Sequence, residues 1–224
     1  MERYLRNQST ISIENQKLLK QKTVVVVGCG GLGGHVIEQC ARLGIGRIIC
    51  YDSDVFDTSN LNRQRFSTED VIGKSKAEIV KEELNRINSE IEVISYSKRL
   101  DLDCMDEVKD AHCIVDAVDR ISTRLMLQQL AKQLNVPLIS ASIAGWYGQC
   151  TVVYPHDDTL SKIYPKDIEQ GIETELGNPS FTPALLASIE TAEVIKVLLN
   201  IPSNLRHQLL VVNLLHHEYT LIRL

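Results

Sequence analysis

Thr23-Val24-Val25-Val26-Val27-Gly28-Cys29-Gly30-Gly31-Leu32-Gly33 decides the fold. A strand covered on one face alternates apolar and polar residues, whereas this unbroken β-branched run suits a strand buried on both faces. The glycines permit a tight turn. Leu32, Val36, Ile37, Cys40 and Leu43 then recur at helical spacing. Strand, glycine loop and helix open a βαβ unit, and the alternation continues downstream. Arg47–Tyr51 reads as the second strand, residues 74–88 as a helix with Ala77, Val80, Leu84 and Ile87 on one face, and 91–96 and 113–115 as further strands. A helix over 121–134 and strands over 137–141 and 149–154 follow. The pattern predicts an α/β fold with a doubly wound, Rossmann-like, mostly parallel sheet.

Residues 155–182 carry Pro155, Pro165 and Pro179 and little periodicity, and an irregular stretch of that length is more often functional than idle. Pro183 suits the first turn of a helix over 183–199, with Leu185, Leu186, Ile189, Ala192, Ile195 and Leu199 as its buried stripe. Two apolar segments, 207–214 and 219–224, read as antiparallel strands closing the sheet.

The 224 residues are 44% hydrophobic and 24% charged, ordinary for a soluble globular chain with a sizeable core. A net charge of −5 argues against sequence-independent nucleic-acid binding. The six cysteines (29, 40, 50, 104, 113 and 150) form no C-x-x-C pair, so neither a disulfide scaffold nor a zinc site is expected. MERYLRNQST lacks the apolar core of a signal peptide, and no apolar run approaches the length of a membrane span. The chain reads as cytoplasmic, without a membrane partner.

Gly28-Cys29-Gly30-Gly31-Leu32-Gly33 joins a buried strand to a helix, the setting in which G-x-G-x-x-G lets a phosphate approach backbone N–H groups. Asp52 closes the second strand, where a carboxylate can accept from ribose hydroxyls. These features indicate a nucleotide and leave NAD, FAD and ATP open. Asn60-Leu61-Asn62-Arg63-Gln64 follows, and then Lys74 and Lys76 at a helix start, where lysine opposes the helix dipole. Solvated lysines would be the bland explanation. Beside Arg63 and a glycine loop, the cations look more like a clamp on a triphosphate than on a two-phosphate bridge. Asp116 and Asp119 end another parallel strand, so Gly28, Asp52 and Asp119 should meet in one crevice. Asp119 is then either a Mg2+ ligand or the N-cap of the next helix.

Taken together, the chain resembles the ThiF/MoeB/HesA adenylyltransferases, relatives of the ubiquitin-activating enzymes. The resemblance is carried by Arg3-Tyr4-Leu5-Arg6, GCGGLG at 28–33, Asp52-x-Asp54, SNLNRQ at 59–64, Gly73-x-x-Lys76, DAVDR at 116–120 with Arg124, and AEVIKVLL at 192–199. It implies an ATP site at Gly28, Gly30, Gly31 and Gly33, with Asp52 on the ribose. Asp54, Asn60, Arg63, Gln64 and Lys76 complete that site, the phosphates falling to Asn60, Arg63 and Lys76. Asp119 would hold Mg2+, and Arg6 would reach across a homodimer. Arg63, Lys76, Arg6 and Asp119 are therefore the implied catalytic residues. The implied reaction joins the C-terminal Gly-Gly carboxylate of a small ubiquitin-like sulfur carrier to AMP, for sulfur transfer in cofactor biosynthesis.

The resemblance also implies one adenylation domain over 1–224: an arm (1–22), a nucleotide-binding core (23–154), a crossover loop (155–182) and a C-terminal helix with strands (183–224). No cysteine follows Cys150, which removes the zinc-binding pairs of many relatives and the crossover-loop nucleophile of thioester-forming ones. Arg120 stands where relatives often carry Asn, and Asn7 interrupts the usual R-Y-x-R-Q. The competing readings are an ATP-dependent tRNA threonylcarbamoyladenosine dehydratase, disfavoured by the acidic balance, and an NAD- or FAD-dependent oxidoreductase, which leaves Arg63, Lys76 and Asp119 unexplained. A non-catalytic partner subunit is disfavoured by those same three residues.

Overall fold

In the computed structural model, residues 2–164, 171 and 173–224 are described. Five strands run parallel: β1 (Thr23–Val27), β2 (Arg47–Tyr51), β3 (Glu92–Tyr96), β4 (Cys113–Asp116) and β5 (Leu138–Ala144). Three antiparallel strands extend them: β6 (Tyr147–Val153), β7 (Gln208–Asn213) and β8 (Glu218–Arg223). The sheet order is β3-β2-β1-β4-β5-β6-β7-β8. The helices are α1 (Ile13–Leu19), α2 (Gly31–Leu43), α3 (Lys76–Ile87), α4 (Met105–Val108), α5 (Ile121–Leu134), α6 (Thr159–Ile163), α7 (Glu173–Leu176) and α8 (Phe181–Leu198). The segment expected to be irregular over 155–182 thus contains α6 and α7, while its residues 165–170 and 172 lie outside the described ones. Among the described residues no helix is long and apolar enough to cross a membrane.

Period-two geometry explains the valine run. Val24 and Val26 face the layer of α2, α3 and α8, while Val25 and Val27 face α4, α5 and α6. All five residues of β1 are buried, so both faces of the strand are covered. From β1 the chain steps outward to β2 and β3, then returns to lay β4 on the opposite side of β1. That reversal separates the loops leaving β1 and β4 and opens a crevice at the carboxyl ends of the strands.

The α8 stripe is rotated from the one predicted. Ala192 is exposed and Ile189 and Ile195 are half-buried, whereas Glu190 and Glu193 are buried, because α8 packs against both α2 and the β5–β6 surface. Glu193 is satisfied by Lys196 Nζ at 2.6 Å and by the Ser203 hydroxyl. Glu190 is 0% exposed, and neither carboxylate oxygen has a hydrogen-bond partner among the described residues. Burial, reinforced by the nearby Asp116 carboxylate, pushes its pKa well above the usual carboxylate range.

The folded chain therefore keeps a proton that the unfolded chain releases. Stability is greatest below the ordinary Glu pKa and declines as pH rises towards the folded value. Glu190→Gln mimics the neutral acid and removes that decline. Its advantage over wild type should grow between about pH 5 and about pH 8, by up to about 1.4 kcal/mol per pH unit for the one proton involved, and each kcal/mol moves the melting temperature about 2–4 °C at this size. Thermal melts at the two pH values check this, and a constant gap contradicts it.

Candidate active site

The crevice is a cleft of about 470 Å³ at the ends of β1, β2, β3 and β4. Its floor is the glycine loop. Gly28 has a left-handed φ of 99° and donates its N–H to Tyr51 O at 2.8 Å. A Cβ on Gly28 would lie 2.5 Å from Ala117 O, so the loops after β1 and β4 meet backbone to backbone. Gly30 is the N-cap of α2 and offers no side-chain cap, and the first turn of α2 holds no acidic residue. The first N–H groups of a 13-residue helix are therefore left for an anion. Gly33 lies beneath the loop, outside the cleft lining; a Cβ there would fall 1.8 Å from Gly28 O.

Asp52 ties β2 to that loop. Its Oδ2 accepts from Cys29 N at 2.7 Å and its Oδ1 from Asp54 N at 2.8 Å. Burial raises its pKa, opposed by those two amides and by Lys76. The Cys29 thiol is buried, and its hydrogen bond with Cys50 and that burial push its pKa up, away from the thiolate that a nucleophile needs. Lys76 is the first residue of α3, behind the N-cap Ser75. Its N–H donates to Asp54 O at 3.0 Å and its Nζ lies 3.2 Å from Asp54 Oδ2, so Asp54 holds both ends of a buried lysine at the cleft wall. Lys74 precedes the cap, is exposed and does not line the cleft.

Arg63 lies along Gly31, with Cγ 3.5 Å from where a Cβ there would sit, and donates Nη1 to Ser59 O at 2.9 Å and Asn62 Oδ1 at 2.8 Å. Gln64 is buried at the cleft wall, its Oε1 unpartnered among the described residues. Asn60 is turned inward instead. Its Oδ1 accepts from Asp57 N at 3.0 Å in a reciprocal cap that shapes the loop carrying Arg63, and it does not line the cleft.

Asp119 faces the cleft, exposed and with no hydrogen bond to a described residue; the N-cap of α5 is Arg120. One free carboxylate suits Mg2+, which takes one or two carboxylates and completes its shell with phosphates and water. Among the described residues no cluster of three or more His, Cys, Asp or Glu side chains forms a protein-only metal cage. Arg6 lies elsewhere. Its neighbour Tyr4 packs on Gly44 at the far end of α2, about 20 Å from the glycine loop along that helix.

Sequence reasoning missed Lys98, Arg99 and Asn178, which also line the cleft. The first two follow β3, and inspecting every parallel strand's carboxyl end would have found them. Lys98 is engaged by Glu107 at 2.6 Å and Lys76 by Asp54, whereas Arg63, Arg99 and Arg120 have no carboxylate partner among the described residues. An acidic chain thus concentrates positive charge in one crevice, where low-dielectric walls strengthen it. Beyond Gly145, Trp146 packs at a tilt against Phe181 with ring centroids 4.5 Å apart, and both side chains remain exposed.

A profile of the ThiF family matches residues 3–224. The chain is 32% identical over 218 residues to the sulfur carrier protein adenylyltransferase of Thermus thermophilus, covering 92% of this chain and 80% of that protein. It is 32% identical over 191 residues to the molybdopterin-synthase adenylyltransferase of Salmonella typhimurium, covering 83% and 76%. Against the mouse adenylyltransferase and sulfurtransferase MOCS3, 31% identical over 220 residues, it spans 96% of itself and only 48% of the relative. Among solved structures, E. coli MccB with MccA-N7isoASN superposes with a TM-score of 0.87 at 24% identity, covering 99% of this chain and 72% of that one, a likeness of fold.

Proposed function

The chain belongs to the ThiF family, and from that premise we propose that it adenylates the C-terminal Gly-Gly carboxylate of a ubiquitin-like sulfur carrier. One observation carries the reading: glycine loop, Arg63, Lys76 and Asp119 share one cleft that is rich in cations. In the reaction a carboxylate oxygen attacks the α-phosphorus of ATP. The new C(=O)O–P bond forms as the bond from that phosphorus to the bridging oxygen breaks, and pyrophosphate leaves with the electron pair. No proton moves, because the carboxylate is already ionised near neutral pH. The chemistry needs positioning and positive charge rather than a base.

The helix N-terminus at Gly30–Gly31 receives phosphate oxygens, and Asp52 orients the ribose. Asp54 aims the Lys76 ammonium at the charge that develops on the phosphates. Arg63 and Gln64 close the opposite wall, while Asn60 and the deeper Gly33 shape the loops that carry them. Asp119 is the ligand for Mg2+, which when bound neutralises phosphate charge. Arg6, remote from its own cleft, serves the cleft of a second copy in a homodimer. All 224 residues act as one adenylation domain with a crossover loop over 155–182, in the cytoplasm, where thiols stay reduced. Incubation with ATP and a carrier ending in Gly-Gly should yield an AMP-linked carrier by mass spectrometry, reversed by added pyrophosphate. Recovery of unmodified carrier under conditions where ATP is bound contradicts the assignment.

A further inference from the structure

Asp119 has no hydrogen bond to a described residue, so the direction of its carboxylate is decided by the backbone that carries it. That backbone is held group by group. Ala117 N donates to Val27 O at 3.0 Å, and Val118 N to Asp116 Oδ1 at 3.2 Å. The Val118 carbonyl accepts from Arg124 Nη2. Arg124 stands one turn into α5, and its Nη1 also donates to Asp116 Oδ2 at 2.8 Å and to Ala141 O at 2.6 Å. Both partners are buried: Asp116 is 0% and Arg124 5% exposed. The Ser140 hydroxyl, 2.6 Å from Asp116 Oδ2, completes the set. A single planar fork thus joins the end of β4, the middle of β5 and the peptide immediately before Asp119.

We infer that Arg124 is a positioning residue for Asp119: anchored on Asp116, its guanidinium grips the Val118 carbonyl and so fixes the backbone that presents the Asp119 carboxylate to the cleft. A buried ion pair alone would call for one charge. The observed use of separate nitrogens for Asp116 and for Val118 O needs a rigid fork, which lysine lacks. Glu190 does not substitute as the counter-ion, since neither of its carboxyl oxygens has a hydrogen-bond partner among the described residues.

Arg124→Lys keeps the charge beside Asp116 and releases Val118 O. Ser140→Ala removes a different partner of Asp116 and leaves the fork intact. Amide hydrogen exchange is the first readout. Arg124→Lys should speed exchange at Val118, Asp119 and Arg120 by roughly tenfold relative to β1, as expected of a local opening, whereas Ser140→Ala should not. Unchanged exchange over these three residues, or an equal rise throughout the sheet, overturns the inference.

The second readout rests on the adenylation reading. In ATP–pyrophosphate exchange, Arg124→Lys should lower kcat between about 10-fold and 100-fold with little change in KM for ATP, the scale expected of a displaced reacting group. That loss should vanish in an Asp119→Ala background. Losses that multiply independently in the double variant overturn the inference. Wild-type protein inactive with every carrier would sink the adenylation reading while leaving the hydrogen-exchange result to stand by itself.

Discussion

Lys76→Ala is expected to lower adenylation about 100-fold, equivalent to about 3 kcal/mol of transition-state stabilisation, with the melting temperature within about 4 °C of wild type. The two effects separate because Lys76 gives the fold little. It occupies the first position of α3, where its charge opposes the helix dipole. Its ion-pair partner Asp54 has a side chain that is 67% exposed, and such pairs contribute at most about 1 kcal/mol. A residue that is locally unfavourable and nearly fully enclosed marks a charge kept for the cleft. Initial rates of ATP–pyrophosphate exchange alongside a thermal melt check both halves. Full activity would remove Lys76 from the phosphate clamp, and an unfolded variant would show that its aliphatic stem is structural.

Gly33→Ala is the most damaging single-methyl change expected in the site. The added Cβ would fall 1.8 Å from Gly28 O, 2.8 Å from Gly28 C and 3.1 Å from the Ala117 Cβ, two of these being backbone atoms with nowhere to go. Loop and helix must part, at a cost of about 3 kcal/mol or on the order of 10 °C in melting temperature. Because the displaced atoms are those of the phosphate loop, ATP binding should be lost even below the melting transition. Gly73→Ala is the control. Gly73 also has a left-handed φ, 81°, but a Cβ there meets nothing within 4 Å, so only backbone strain of about 1–2 kcal/mol applies. Calorimetric ATP titration of both variants decides the matter: equal affinities would mean that close packing under the loop is not what builds the site.

The elements legible in the sequence were those whose local pattern has one physical solution. The valines of β1 read as a two-face-buried strand and are buried on both faces. Asp52 reads as the end of β2 and sits against the glycine loop. The buried face of α8 was illegible for a different reason: a pattern of apolar spacing has no means of scoring a buried Glu190 or a Glu193 satisfied by Ser203, which lies beyond the end of the helix. Lys98 and Arg99 escaped because they belong to no motif and reach the cleft only through the register of β3 against β2. Asn60 shows a third limit. Its place in NLNRQ was visible, but only the closed loop reveals that its carboxamide braces Asp57.

Carrier-dependent exchange of labelled pyrophosphate into ATP tests the central claim most directly. Three proteins are compared: a ubiquitin-like carrier ending in Gly-Gly, the same carrier without its final glycine, and the same carrier with an amidated C-terminus. Exchange with the first and not with the other two is the predicted result, because the reacting group is a free carboxylate that must reach the phosphates at the glycine loop. Exchange supported by none of them, but by tRNA bearing a carboxylate, would contradict the account.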